Sequence, residues 1–172
     1  MRIYLWWCIP AFQIIGSESD KTVNFHIREV REYELDIIHS LEENIYDTPW
    51  SRSFFTLMAK LEKKFFLVAV KDNKIVGYSV GEVESRGKKR KTGHIMNVAV
   101  KKPFRKQGIA TGLMDELERR IKENGAEISY LEVRISNEKA QELYKNRGYI
   151  FLRKIENYYG DEDAFVLTKK LE

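Results

Sequence analysis

Apolar and polar positions alternate with two different periods along this chain, and the changes of period mark its elements. The clearest change lies in the stretch from Gly93 to Thr111, GHIMNVAVKKPFRKQGIAT. Ile95, Met96, Val98 and Val100 form an apolar run with no Pro or Gly inside it, which predicts a strand. Lys101-Lys102-Pro103 stops it, because Pro has no N–H for a ladder and the paired ammonium groups belong in water. From Ile109 the period becomes helical. Ile109, Leu113, Leu117 and Ile121 share one stripe, with Asp115, Glu116, Glu118, Arg119 and Lys122 on the remaining faces. Asn124-Gly125 supplies the helix end.

The same reading orders the rest of the chain. Phe25 and Ile27 suggest a first strand. Residues 32–46 read as a helix with Leu35, Ile38, Leu41 and Ile45 on one side. Thr48-Pro49-Trp50-Ser51 breaks that pattern, and Ser51 can cap a second helix carrying Phe54, Phe55, Met58 and Leu61. Residues 65–70 and 75–83 read as strands joined by a tight turn at Asp72-Asn73. After the central helix come a strand over 128–135, a helix over 137–147 with Gly148 past its end, and strands over 149–155 and 164–168. The predicted order is β-α-α-β-β-β-α-β-α-β-β. Helices between some strands and hairpins between others imply an α/β (α+β mixed) fold, a mixed central sheet flanked by helices.

At 172 residues, with 43% hydrophobic and 33% charged residues, the chain suits one soluble globular domain. The formal net charge of +4 is a mild basic bias that suits a phosphate-bearing ligand and falls short of a nucleic-acid footprint. One cysteine, Cys8, excludes an internal disulfide or a cysteine metal cluster and fits a reducing, cytoplasmic setting. His26, His39 and His94 lack metal-ligand spacing, so no metal is expected. Residues 1–22 read as an apolar N-terminal extension and linker, and residues 23–172 as the folded domain. A signal peptide is one reading of the extension, opposed by Pro10, the minimal charge and the lack of a following small-residue cleavage site, and the run is too short to span a membrane. Its Trp6, Trp7 and Ile9 need cover, so homo-oligomerisation through residues 1–15 is expected, with docking on its own domain as the alternative. The basic run Arg86-Gly-Lys-Lys-Arg-Lys91 reads as a solvated hairpin loop between strands in preference to a nucleic-acid patch.

Two places carry candidate chemistry. The strand, basic loop and helix around Gly108 form a site for an anion, since the free N–H groups of the helix's first turn and its positive dipole end favour a phosphate. Gly108 removes a Cβ from the approach, and Arg105 and Lys106 add charge at the rim. Neither a Walker loop nor a dinucleotide fingerprint is present, so an ordinary strand-to-helix turn stays open. In the strand after that helix, Leu131, Val133 and Ile135 share one face and Tyr130, Glu132 and Arg134 the other. Glu132 thus points away from the core side, and Tyr144 in the following helix can reach the same cleft. A Glu–Arg pair on a solvated face with a packed Tyr is the competing reading.

Arg105-Lys106-Gln107-Gly108-Ile109-Ala110 resembles the R/Q-x-x-G-x-G/A motif of the GNAT acetyltransferases. Leu131-Glu-Val-Arg-Ile-Ser-Asn137 followed by Leu143-Tyr144 and Gly148-Tyr149 resembles the block shared by N-terminal protein acetyltransferases of the RimI and NatA types. Pro49-Trp50-Ser51 is similar to the RimI-type P-W-S, and Gly93-His94-Ile95 to the NatA-type strand. Tyr158-Tyr159-Gly160-Asp161-Glu162-Asp163-Ala164 resembles the NatA-type Y-Y-x-D-G-E-D-A tail, one residue shorter here.

The resemblance covers the chain from Val23 onward and implies the GNAT fold, with acetyl-CoA as cosubstrate. It implies Glu132 as base and Tyr144 as acid. It places the cosubstrate along Val98, Ala99 and Val100 and over Arg105, Lys106, Gln107, Gly108, Ile109, Ala110 and Thr111, with Asn137 and Tyr144 on its pantetheine side. Capping its own helix is the competing role for Asn137. Tyr158 and Tyr159 are expected on the acceptor side, and so are Glu43 and Asp47, for which a solvated helix end is the competing reading. The implied partners are protein N-termini, ribosomal proteins among them, with neither nucleic acid nor membrane. An α-amine attacks a thioester when neutral, and its ordinary pKa of about 7.7–8.0 makes a nearby carboxylate a suitable base. A GNAT acyltransferase for a lysine, polyamine or small-molecule amine is the alternative.

Overall fold

The computed structural model describes residues 24–86 and 90–172. Strand β1 (His26–Glu29) leads through a 3-10 turn into α1 (Leu35–Glu43), and α2 (Arg52–Leu61) follows. A meander of β2 (Phe66–Lys71), β3 (Lys74–Arg86) and β4 (Arg90–Val100) precedes α3 (Ile109–Glu123). Then come β5 (Ala126–Arg134), α4 (Glu138–Asn146), β6 (Ile150–Ile155) and β7 (Ala164–Lys170). The order of elements is the one the pattern predicts. The extension, its role in oligomerisation and the tip of the basic run lie outside the described residues.

Local chemistry explains the joints. Ser51 caps α2, its hydroxyl accepting from the Phe54 N–H at 3.2 Å. The β2–β3 turn places Asp72 and Asn73 at φ 49° and 58°, a left-handed pair that suits a two-residue hairpin and that Asn and Asp tolerate. Gly93 is buried beneath α3, where an added Cβ would stand 2.2 Å from Ile121 Cγ2, so the helix lies against the strand only because that residue has no side chain.

Among the described residues, seven strands form one sheet in the order β1-β2-β3-β4-β5-β7-β6. Only β4 and β5 pair in parallel; the other neighbours are antiparallel. Ile109, Leu113, Leu117 and Ile121 are buried with Leu131, Val133 and Tyr149 in one core. On the other side of the sheet, Leu35, Ile38, Leu41, Phe55 and Met58 pack with Phe66, Tyr78 and Val80 in a second core.

One irregularity decides where the site can be. The parallel pairing of β4 with β5 ends at His94 opposite Tyr130, although β4 continues to Val100 and β5 to Arg134. The β3–β4 register also shifts there: Val80 faces Asn97 while Gly81 faces Ile95. Met96 is the extra residue of a bulge, which bends β4 and lets it part from β5. A cleft opens between them.

Several elements differ in extent from the sequence pattern. The first helix begins with a 3-10 turn and stops at Glu43, short of residue 46, because Tyr46 turns to bond Asn97 of β4 and the Trp50 N–H returns to Glu42. β3 and β4 run past the apolar alternation to Arg86 and from Arg90, since ladder pairing carries their polar ends. Ile135 lies beyond β5 and is exposed, not on the core face. Glu118, assigned to an outer face of the central helix, is buried among Arg147, Lys169 and Tyr149. Leu61 is exposed.

Candidate active site

The loop after β4 turns tightly into α3, with Lys106 at φ 60° and Gly108 at φ 76°. Nothing lies within 4 Å of the position a Gly108 Cβ would take. The backbone N–H groups of Ile109, Ala110 and Thr111, in the helix's first turn, have no carbonyl one turn earlier to bind, and the approach to them over Gly108 is open. The donor set fits a pyrophosphate. Lys106 is exposed there. Arg105 folds back, its Nε donating to the Val100 carbonyl at 2.9 Å. Gln107 is held by Lys71 and by the Pro103 carbonyl.

The edge of β4 facing the cleft offers further donors. The Lys101 N–H donates to Val76 O on β3 at 2.9 Å, so in an extended strand the peptide groups of Val98 and Val100 point the opposite way, toward the cleft. Accordingly the Val100 carbonyl takes Arg105, and the Val98 carbonyl lies 3.5 Å from the Tyr46 hydroxyl. Val98 lines the cleft, while the side chains of Ala99 and Val100 are buried in opposite cores.

The cleft has a volume of about 280 Å³ and is lined by Ile95–Val98 of β4, Glu132 and Arg134 of β5, and Tyr144 of α4. Glu42, Tyr46, Thr48 and Trp50 close it from α1 and the loop after it, and Tyr158 and Tyr159 from the β6–β7 loop. The β5 alternation places Leu131 and Val133 in the core and turns Glu132 outward, as expected. Tyr144 is buried, its ring edge against Tyr149, and burial pushes its phenol up to about 12, with Arg147 opposing the shift.

The roof is held by Arg134. Its guanidinium lies 4.2 Å from the centre of the Tyr159 ring and pairs with Asp161 at 3.1 Å and Glu162 at 3.0 Å. Tyr158 and Tyr159 meet edge to face at 4.9 Å, and burial raises the pKa of both phenols. Asn137 is the N-cap of α4, its side-chain oxygen accepting from Ala140 N at 3.2 Å, which is the competing role foreseen for it. Glu43 and Asp47 are exposed, and neither lines the cleft; Glu43 sits 3.7 Å from His39 on the outside of α1.

Several residues enter the site that sequence reasoning did not single out. Glu42 is 1% exposed. It accepts hydrogen bonds from the Tyr78 hydroxyl, from the Trp50 N–H at 3.2 Å and from Asn97 at 3.4 Å. Burial raises its pKa against those bonds. A signal existed, because Glu42 shares the helical stripe of Leu35 and Ile38, where a carboxylate is out of place. Tyr46 donates to Asn97 Oδ1 at 3.0 Å, tying the same loop to the bulge in β4. His94 Nε2 lies 2.8 Å from Glu132, and its Nδ1 3.3 Å from Glu82. Burial lowers the His94 pKa, but Glu132 and then Glu82 more than offset this, so the ring titrates above the ordinary histidine range. The Glu82 and Glu84 carboxylates and the His94 imidazole lie within 4.8 Å of one another, a grouping that linear spacing did not suggest.

Comparison with known proteins agrees with this architecture. Residues 35–149 match the model of the acetyltransferase (GNAT) family. An N-alpha-acetyltransferase of Saccharolobus solfataricus is 32% identical over 90% of this chain and 98% of its own length. Arabidopsis thaliana Naa50 in complex with the bisubstrate analogue CoA-Ac-MVNAL superposes with a TM-score of 0.77 at 23% identity, covering 86% of this chain and 99% of that one. The ribosomal-protein-S18-alanine N-acetyltransferase of Escherichia coli gives a TM-score of 0.74 at 22% identity, over 86% and 94% of the two chains. With a seven-stranded sheet parted between β4 and β5 and a glycine turn leading into α3, this chain belongs to the GNAT acetyltransferase family.

Proposed function

We infer that the protein transfers the acetyl group of acetyl-CoA to the α-amino group of protein N-termini, by direct attack in a ternary complex. The observation that carries this reading is the parting of β4 from β5. It makes one cleft reached by the donors of β4, by Glu132 and by Tyr144, with a peptide-sized aromatic roof of Tyr158 and Tyr159. The likeness to N-alpha-acetyltransferases over nearly the whole chain supports the acceptor class. Ribosomal proteins are proposed among the acceptors and the cytoplasm as the setting; among the described residues no helix is long and apolar enough to cross a membrane.

Acetyl-CoA supplies a thioester. The first turn of α3 over Gly108 holds its pyrophosphate, and the cleft-facing edge of β4 holds its pantetheine arm. Glu132 takes the proton of the acceptor ammonium, directly or through a water. An N–H on the β4 edge faces the negative charge that develops on the carbonyl oxygen, a donor worth about 3–4 kcal/mol in other acyl transfers. Tyr144, kept protonated by burial, donates to the departing sulfur. A peptide panel with free or blocked α-amines, each containing a lysine, tests the acceptor class by mass spectrometry. Acetyl groups are expected on free α-amines alone; transfer to lysine in blocked peptides would instead make this a side-chain acyltransferase.

A further inference from the structure

The register across the face of the sheet opposite α3 sets Glu82 of β3 opposite His94 of β4, and His94 opposite Tyr130 of β5. Residues in one such row point to the same face and touch. The His94 ring lies flat on Tyr130, centroids 4.4 Å apart and planes 5° from parallel, while the Tyr130 hydroxyl donates to Glu84 at 2.9 Å. Clamped in this way, the imidazole presents Nε2 to Glu132 at 2.8 Å and Nδ1 to Glu82 at 3.3 Å. Side-chain exposure rises from 12% at Glu132 and 15% at His94 to 31% at Glu82, so the row leads from the cleft toward water.

A neutral imidazole has one N–H and one bare nitrogen. Between two carboxylates it satisfies both only after taking up a second proton. The arrangement is therefore a proton acceptor placed directly behind Glu132. We propose that Glu82 is a positioning residue for acetyl transfer, holding the proton of neutral His94 on Nδ1 so that Nε2 receives the proton Glu132 removes from the acceptor amine. This rests on the reading of Glu132 as base. An ammonium N–H bond breaks and a Glu132 O–H bond forms. That O–H then breaks and an N–H forms at Nε2, which restores the Glu132 carboxylate and leaves imidazolium between two anions. The amine keeps its lone pair for attack. Nε2 returns the proton to water once the product has left the cleft. A carboxylate that fixes the tautomer of a histidine and stabilises its imidazolium acts in the same manner in serine hydrolases.

Other ionisable groups surround the row. Glu84, paired with Tyr130, lies on the same face, its carboxylate within 4.8 Å of the histidine nitrogen. Glu62, at the end of α2, is pushed up by burial and by the charge of Glu82. The phenols of Tyr158 and Tyr159 in the roof are pushed up by burial and, further, by the charge of Glu132. The two phenols stay neutral and Glu84 adds to the negative surroundings, but Glu82 and Glu132 are the groups that meet the ring nitrogens.

The test follows the His94 side chain by NMR titration in the full chain, assigned with the His94→Gln variant, beside the pH profile of kcat with a free-amine peptide. The rate rises with pH as His94 becomes neutral. In Glu82→Gln the imidazolium loses one neighbouring charge, so the His94 midpoint and the rising limb of kcat both move down by about one pH unit. The plateau falls about tenfold, the KM for acetyl-CoA stays unchanged, and Glu82→Asp restores most of the rate. An unmoved His94 midpoint, or a shifted midpoint with an unchanged kcat profile, overturns the proposal. Failure of the base reading looks different: Glu132→Gln would then keep its rate, while the His94 midpoint would still answer to Glu82.

Discussion

The two sides of the cleft are built by different means. On the proposed function, the acetyl-CoA side comes from one unbroken stretch, β4, its loop and the first turn of α3, and works through backbone groups. The proposed acceptor side gathers α1, the loop after it, β5, α4 and the β6–β7 loop, and it works through side chains. Backbone donors cannot be deleted by changing a side chain, so the first side is vulnerable only where the chain's shape depends on a residue. On the second side each proposed role hangs on a particular carboxylate, phenol or guanidinium. The contrast separates binding defects from rate defects.

The largest effect is expected on the acceptor side. Glu132→Gln should lower kcat by about a hundredfold or more, with acetyl-CoA affinity intact by calorimetry. Tyr144→Phe should lower kcat less, removing only the hydroxyl. Near-full rates in both variants would mean that positioning alone carries the reaction. On the cosubstrate side, Gly108→Val forces a branched residue to φ 76° where the phosphates approach. CoA binding should weaken by more than about tenfold, against a loss of about 1–2 kcal/mol in thermal unfolding. Unchanged CoA affinity would remove the pyrophosphate from this turn. The smallest effect tests the roof. Arg134→Gln gives up a partly exposed ion pair and a ring contact, so the peptide KM should rise about three- to tenfold. A change in CoA affinity of the same size would show that the two sides are not separable.

The two sides also differed in how far they could be read in advance. The β4–α3 unit is local, and period, Pro103, Gly108 and the Asn124-Gly125 end mark it within some thirty residues. The outward direction of Glu132 follows from alternation alone. Glu43 and Asp47 went the other way: the helix stripe and the loop's path decided that Glu42 enters the cleft and Glu43 faces water. Asn137 likewise takes the capping role that its place before a helix allows.

By itself the sequence determined the order of elements, the turn over Gly108, the outward face of β5 and the family resemblance carried by Leu131-Glu-Val-Arg. These depend on neighbours in the chain and on the periods of helix and strand. The tertiary structure alone decided that β4 parts from β5 after His94, that Arg134 latches the Tyr158-Tyr159 roof, and that Glu82, His94 and Glu132 stand within bonding reach. Each of those depends on the register between strands distant in sequence. A bulge of one residue at Met96 sets part of that register, and alternation within a single strand carries no record of it.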